Sequence, residues 1–123
     1  MDARWEGVGV RLDPTVKAEA ARLGRQVATV ARSGLVLPGT LTRRLTRCGR
    51  AGCRCGDDPP QLHGPYWSWT RKVNNKTVTR YLSPEQAAEY QAYFDNARSL
   101  RTLVAELESL SLSAVDDDPR WDR

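Results

Sequence analysis

The 123-residue sequence predicts an α+β fold: an N-terminal helix, a cysteine-rich loop, an antiparallel β-hairpin with a possible third short strand, and a long C-terminal helix. Three observations predict this class. Apolar residues recur at helical spacing before Gly34, aromatic and β-branched residues flank Asn74-Asn75, and a longer helical pattern follows Ser83. No internal repeat is visible, so we expect these elements to form one small domain.

The first helix is predicted to begin at Asp13-Pro14 and to end near Ser33-Gly34. Asp is able to cap free amide groups, proline suits the first helical turn, and glycine commonly follows the last one. Between these limits, apolar side chains recur at steps of four and three residues, which places them on one face of the helix. They are Val16, Ala20, Leu23, Val27 and Val30.

The hairpin is predicted at residues 66–82, with a short strand at residues 40–47 as its possible third member. Asn tolerates positive φ, so Asn74-Asn75 can form a two-residue turn. That turn pairs Val73 with Lys76 and every second residue outward, including Arg71 with Val78, Trp69 with Arg80 and Trp67 with Leu82.

This register gives the hairpin two different faces. The tryptophan face, which we expect to pack on the domain, has Trp67, Trp69, Val78 and Leu82, with Arg71, Lys76 and Arg80 toward the tip. The hydroxyl face, left for solvent or a ligand, has Tyr66, Ser68, Thr70, Lys72, Thr77, Thr79 and Tyr81. We also expect a cation–π contact between Trp69 and Arg80 across the two strands.

The second helix is predicted to begin at a capping box, Ser83-Pro84-Glu85-Gln86, and to run to about Leu110. Its apolar stripe is wide, which suits packing in a core better than pairing between two chains. Both helices are expected to pack on the tryptophan face. We therefore predict a single domain at residues 13–110, a flexible lead-in at residues 1–12 and an acidic, disordered tail at residues 111–123.

The net charge of +4 is distributed unevenly. Residues 40–82 carry nine Arg and Lys against Asp57 and Asp58, a net charge of +7, whereas residues 83–123 have a net charge of −5. A polyanion would therefore bind around the cysteines, although a solvated basic surface explains the same pattern. The N-terminus has no apolar signal core and the chain has no transmembrane run, so a cytoplasmic location without membrane contact is expected.

The residues expected to bind a metal are Cys48, Cys53, Cys55 and His63, all in the loop 48–63. Three thiolates and one imidazole form a closed tetrahedral set for Zn²⁺, and the intervening glycines let the chain fold tightly around an ion. Asp57 or Asp58 is the alternative fourth ligand. Buried thiols, one local disulfide, an iron–sulfur or redox role, and a histidine that only serves a turn remain alternatives.

A closed metal site has no open position for water, so it does not predict catalysis. The chain has no second histidine to serve as a base, no Gly-rich phosphate loop and no nucleophile elbow. We therefore expect that the protein is not an enzyme.

The segment from residue 39 to residue 110 resembles an uncharacterised bacterial domain family, mainly actinobacterial and associated with mobile elements. The resemblance lies in CGRAGCRC, then HGPYW, then the hairpin sequence TRKVNNKTVTRYLSPEQ and the following helix. Asn75 stands where the family pattern has the glycine of an Asn-Gly turn. The resemblance implies a zinc-site hairpin domain of bacterial origin and leaves its activity unassigned.

Two functions are compatible with these patterns. The first is a zinc-stabilised nucleic-acid-binding module, DNA more than RNA, acting as an accessory or regulatory factor of a mobile element. Its phosphate contacts would come from Arg43, Arg44, Arg47, Arg50, Arg54, Lys72, Lys76 and Arg80. The alternative is a protein-interaction or dimerisation module with a purely structural zinc site, binding a second copy or a larger protein.

Overall fold

The computed structural model describes Val10 and residues 12–121 of the chain. Two helices and three strands follow one another as α1 (Pro14–Ser33), β1 (Thr40–Thr46), β2 (His63–Val73), β3 (Lys76–Leu82) and α2 (Pro84–Asp116). Short 3-10 helices occur at Arg54–Gly56 and Pro119–Trp121. The α+β prediction is confirmed, whereas the predicted flexible lead-in falls almost entirely on residues outside this description.

The described chain divides into two compact units, where the sequence predicted a single domain. One unit comprises residues 34–97, with the sheet and the first part of α2, and the other combines α1 with α2 from residue 98 onward. The difference arises because α2 is long enough to take part in both units. Neither helix of the described residues combines the length and apolar character needed to cross a membrane.

In the helical unit, α1 lies along the second part of α2. The predicted cap is present, since the amide of Val16 donates to Oδ1 of Asp13 at 2.9 Å. Leu23, in the middle of the predicted stripe, is buried, and Arg22 lies 3.9 Å from the Glu106 carboxylate. The middle of the stripe on α1 is therefore buried within the helical unit, on the side where α1 approaches α2.

The tail that the sequence predicted to be disordered is largely helical in the structure. The helix α2 continues past Leu110 to Asp116, and a 3-10 helix follows. Arg120 contacts the carboxylate of Asp118 at 2.6 Å, and the Trp121 indole donates to the carbonyl oxygen of Val115 at 2.6 Å. The acidic composition predicted disorder because composition alone does not show these pairings.

In the other unit, the three strands form an antiparallel sheet in the order β1-β2-β3. Every β2–β3 pair has the predicted register, from Val73 with Lys76 to Trp67 with Leu82. Asn74 and Asn75 have φ of 51° and 67°, as a primed two-residue turn requires. The possible third strand is confirmed as β1, and its register places Thr42 beside Ser68 and Arg44 beside Tyr66.

The tryptophan face contacts the first part of α2. The rings of Trp69 and Phe94 meet edge-on with centroids 5.8 Å apart, and the Trp69 indole donates to the carbonyl oxygen of Pro38 at 2.8 Å. The capping box also forms, with Gln86 N donating to Ser83 Oγ at 3.0 Å and Ser83 N donating to Gln86 Oε1 at 2.9 Å. These contacts hold the start of α2 against the sheet.

Candidate metal centre and basic surface

The cysteine loop connects β1 to β2, and its two ends lie side by side because Thr46 pairs with His63. The loop turns at Gly49 and Gly52, which have φ of 76° and 78°, values that most side chains disfavour. The amide of Cys53 donates to the carbonyl oxygen of Arg50 at 3.3 Å, closing the turn between the first two cysteines. The strand pairing and the two turns bring the distant ligand positions together.

The four predicted ligands converge, with one donor atom from each of Cys48, Cys53, Cys55 and His63 lying within 4.8 Å of all the others. The Sγ atoms of Cys48 and Cys55 are 3.5 Å apart, and Cys53 Sγ lies 3.1 Å from His63 Nε2. A tetrahedral zinc ion with Zn–S bonds near 2.3 Å separates its ligand atoms by about 3.5 to 3.8 Å. The cluster therefore has the size of a four-ligand metal site, and its three cysteines form no disulfide.

Hydrogen bonds from the loop backbone support thiolate ligands in this cluster. The amide of Cys48 donates to Cys55 Sγ at 3.3 Å, and the amide of Arg50 donates to Cys48 Sγ at 3.4 Å. The Cys48 amide is the main cause that lowers the pKa of Cys55 to about 7, so this buried thiol, only 2% exposed, ionises readily. A thiolate is the form that binds a metal.

Proximity of the three sulfur atoms has the opposite effect on Cys48. The amide of Arg50 lowers the pKa of Cys48, but the neighbouring thiols of Cys53 and Cys55 raise it overall. Three adjacent thiolates repel one another, and a bound cation removes that repulsion. Three sulfur atoms and one imidazole nitrogen around one centre therefore fit a divalent metal ion.

The structure also chooses between the alternative fourth ligands. His63, the first residue of β2, belongs to the cluster, whereas Asp57 and Asp58 lie outside it and are exposed. This geometry therefore favours His63 over either aspartate as the fourth member of the cluster. With four protein ligands and no catalytic base among them, the cluster suits a structural metal.

All eight predicted nucleic-acid contacts are exposed, and none forms an ion pair with another residue in the described part of the chain. They do not form one surface. Arg44 and Lys72 lie on the hydroxyl face, Arg47, Arg50 and Arg54 lie in and beside the metal loop, and Arg43, Lys76 and Arg80 lie on the tryptophan face. Arg43, Lys76 and Arg80 lie on the opposite face of the sheet from Arg44 and Lys72, because side chains alternate along a strand.

The hydroxyl face forms an open groove of about 600 Å³ that borders a second depression at the metal loop. Its lining comes from all three strands: Arg44, Thr46, Tyr66, Ser68, Thr70, Thr79 and Tyr81. Thr46 and Tyr66 also border the depression around Cys48, Cys53 and His63. Alternation along the strands identified the hydroxyl face. The sequence did not reveal that this face borders the metal loop, because that depends on β1 lying beside β2.

The chain was compared with known protein families, curated proteins and solved structures. A family model described as a domain of unknown function, DUF6788, matches residues 14–92, which span α1, the sheet, the metal loop and the start of α2. No curated protein and no solved structure matches the chain.

Proposed function

We propose that this chain, which belongs to the domain family of unknown function DUF6788, is a zinc-stabilised DNA-binding module without catalytic activity. The observation that carries the proposal is the open hydroxyl face flanked by exposed cations. Arg44 and Lys72 lie on that face, and the metal loop beside it adds Arg47, Arg50 and Arg54. A surface of this charge attracts the phosphates of a nucleic acid.

Zinc is the metal we propose for the cluster. Three thiolates and one imidazole are a soft donor set that favours zinc over hard cations, which prefer oxygen ligands. The ion would join the end of β1 to the start of β2, because Cys48 follows β1 and His63 begins β2. Its role would be to hold the sheet and the cationic loop in place.

The hydroxyl face supports phosphate binding by its polar groups as well as by its charge. Ser68, Thr70 and Thr79 line the groove with hydroxyl groups, which commonly donate hydrogen bonds to phosphate oxygens. Asp57 and Asp58 are the only acidic residues between residues 40 and 82, and neither lines the groove. Among the described residues, no acidic side chain lines this groove, so none there repels a polyanion.

The salt dependence of DNA binding tests the proposal. At most the five cations named above can reach one ligand on the hydroxyl face, and five contacts give log affinity against log salt a slope of about −3.5 on single strands or −4.5 on duplex. Arg44→Ala should weaken binding and flatten that slope by about 0.7 to 0.9. Arg43→Ala is the matched control, since Arg43 is adjacent to Arg44 in β1 and lies on the opposite face of the sheet.

Affinity that does not change with salt would overturn the DNA-binding proposal, and so would equal effects of the two arginine variants. The same titration with RNA of identical sequence tests the choice of DNA, because tighter binding of RNA would contradict it. A role beside a mobile element rests on the family resemblance of the cysteine and hairpin motifs. Loss of element transfer or regulation on deletion of the chain would support that role.

A second function, dimerisation through α2, is favoured by exposed apolar residues of this helix. Leu112 is 63% exposed and Val104 is 47% exposed, both in the helical unit. A second copy could cover them. Light scattering over a range of protein concentrations tests this function with Leu112→Ser as the variant, and a monomer at all concentrations would exclude it.

A further inference from the structure

The hydroxyl face carries two tyrosines whose rings are open to solvent. Tyr81, on the edge strand β3, is 79% exposed, and Tyr66, on the central strand, is 47% exposed. Large aromatic side chains usually lose most of their exposed surface on folding, so a ring this open on a sheet is available for contact. Both rings line the same groove.

The register places the two tyrosines and a cation at defined spacings. Tyr81 lies opposite Ser68, which is two residues from Tyr66, so the tyrosines are diagonal neighbours with β-carbons about 7 to 8 Å apart. Stacked bases of one strand repeat every ~3.4 Å, so one strand can reach both rings. Arg44 lies opposite Tyr66 in the register, and both residues line the same groove.

Small side chains separate the rings. Ser68, Thr70 and Thr79 line the floor of the groove, and the hydroxyl oxygens of Thr70 and Thr79 are 3.3 Å apart. This arrangement leaves the faces of both rings accessible to planar groups. Proteins that bind single strands combine such aromatic rings with cations that follow the phosphates.

Duplex DNA fits this face less well, because the sheet has three strands. Strands lie about 4.8 Å apart, so three backbones with their side chains are wider than a major groove of about 12 Å, which admits a two-stranded ribbon. β1 pairs with β2 as far as Thr70, and only the hairpin tip beyond it is two-stranded. Insertion of a two-stranded ribbon into the major groove is therefore not the binding mode of the face that carries the tyrosines.

We propose that the hydroxyl face binds single-stranded DNA, with bases stacking on Tyr81 and Tyr66 and the phosphates held by Arg44 and the cations of the metal loop. This inference rests on the proposed DNA-binding function and specifies the form of DNA that the face takes. Stacking involves the π-face common to all bases, so binding tolerates different sequences.

The test is fluorescence anisotropy with a labelled oligonucleotide of about 15 nucleotides, single-stranded and as a duplex, at low salt. We expect the wild-type protein to bind the single strand more tightly. Tyr81→Ala should weaken single-strand binding by about 5- to 100-fold, as loss of one stacked base does. Tyr66→Ala, on the adjacent strand, should also weaken it.

Two controls separate stacking from other effects. Tyr81→Phe keeps the ring and should retain binding within about 2-fold of wild type, because the stacking surface is preserved. Trp121→Ala removes another exposed aromatic ring, in the other unit, and should leave the affinity unchanged. Because Tyr81 is so exposed, its replacement should not unfold the sheet, which circular dichroism verifies.

The outcomes distinguish this inference from the function on which it rests. If the protein binds DNA but prefers the duplex, binds both forms equally, or is unaffected by Tyr81→Ala, single-strand stacking is wrong and DNA binding stands. If neither form binds at low salt, both proposals fail.

Discussion

Arg71 stacks on Trp69, with its guanidinium carbon 4.9 Å from the centroid of the ring. The two residues are two positions apart on β2 and therefore share a face, whereas the sequence predicted this cation–π contact for Arg80 on the neighbouring strand. The Nε atom of Arg71 is buried and has no hydrogen-bond partner among the described residues. The contact with the ring therefore accompanies a guanidinium whose Nε is withdrawn from water.

This contact predicts different effects for two arginines beside the same ring. Arg71→Ala should lower the free energy of unfolding by about 1 kcal/mol, through loss of the cation–π contact and of the packed side-chain stem. Arg80→Ala should change it by less than about 0.5 kcal/mol, since Arg80 is exposed. Urea denaturation of both variants measures the difference, and a larger effect at Arg80 would restore the cross-strand assignment.

The metal site predicts one zinc ion per chain in protein purified without a histidine tag. Cys53→Ser should lose the metal. Residues 34–97 should then no longer unfold cooperatively, because the metal-binding loop joins two strands of that unit. Elemental analysis and thermal denaturation measure both effects. A strong chelator should reproduce them in wild-type protein.

Asp58→Asn is the control for the metal prediction, because this aspartate lies outside the ligand cluster and is exposed. It should keep the full zinc content, whereas His63→Ala should not. A well-folded wild-type protein without any metal would refute the site and leave the cysteines as thiols of the loop.

Two glycines should respond to alanine in opposite directions. Gly39 has φ of 98°, and a β-carbon there would lie 2.9 Å from Trp69 Nε1 and against the carbonyl oxygen of Thr70, so Gly39→Ala should cost about 2 kcal/mol or more. Gly24 lies within α1 with nothing near its missing β-carbon, so Gly24→Ala should stabilise by about 0.5 to 1 kcal/mol. Denaturation curves check both signs, and a stabilising Gly39→Ala would contradict the structure.

The capping box predicts a measurable role for Ser83. Ser83→Ala removes the hydroxyl that accepts from the Gln86 amide and should lower the free energy of unfolding by about 1 kcal/mol. Ser99→Ala, at an exposed position inside the same helix, should have no such cost, because alanine favours helix interiors. Equal losses in the two variants would rule out the cap as the cause.

Local patterns predicted most of the sheet correctly and identified the four side chains that the structure brings together. Asn74-Asn75 and the alternation around them determine the register of β2 and β3, since both depend on residues near in sequence. The four ligands were recognisable because their chemistry and short spacing limit what they can bind. These signals need no knowledge of distant contacts.

Long-range contacts account for what the sequence did not predict. The apolar stripe on α1 does not itself specify which surface covers it, because that depends on residues distant in sequence, here those of α2 in the helical unit. The last turns of α2 and the contacts of Asp118 and Trp121 likewise depend on pairings that composition does not show. The strand register does not determine whether Arg71 or Arg80 contacts the Trp69 ring, because that contact depends on side-chain conformations.

The pairing of Thr46 with His63 links metal supply to the order in which the sheet assembles. β2 and β3 close through a two-residue turn, so they can pair early and without metal. β1 can join them only after residues 47–62 close into a loop, at an entropic cost of about 2 kcal/mol or more. An ion held by Cys48 and His63 would offset that cost, so chains deprived of the proposed metal should keep the hairpin while the groove stays incomplete.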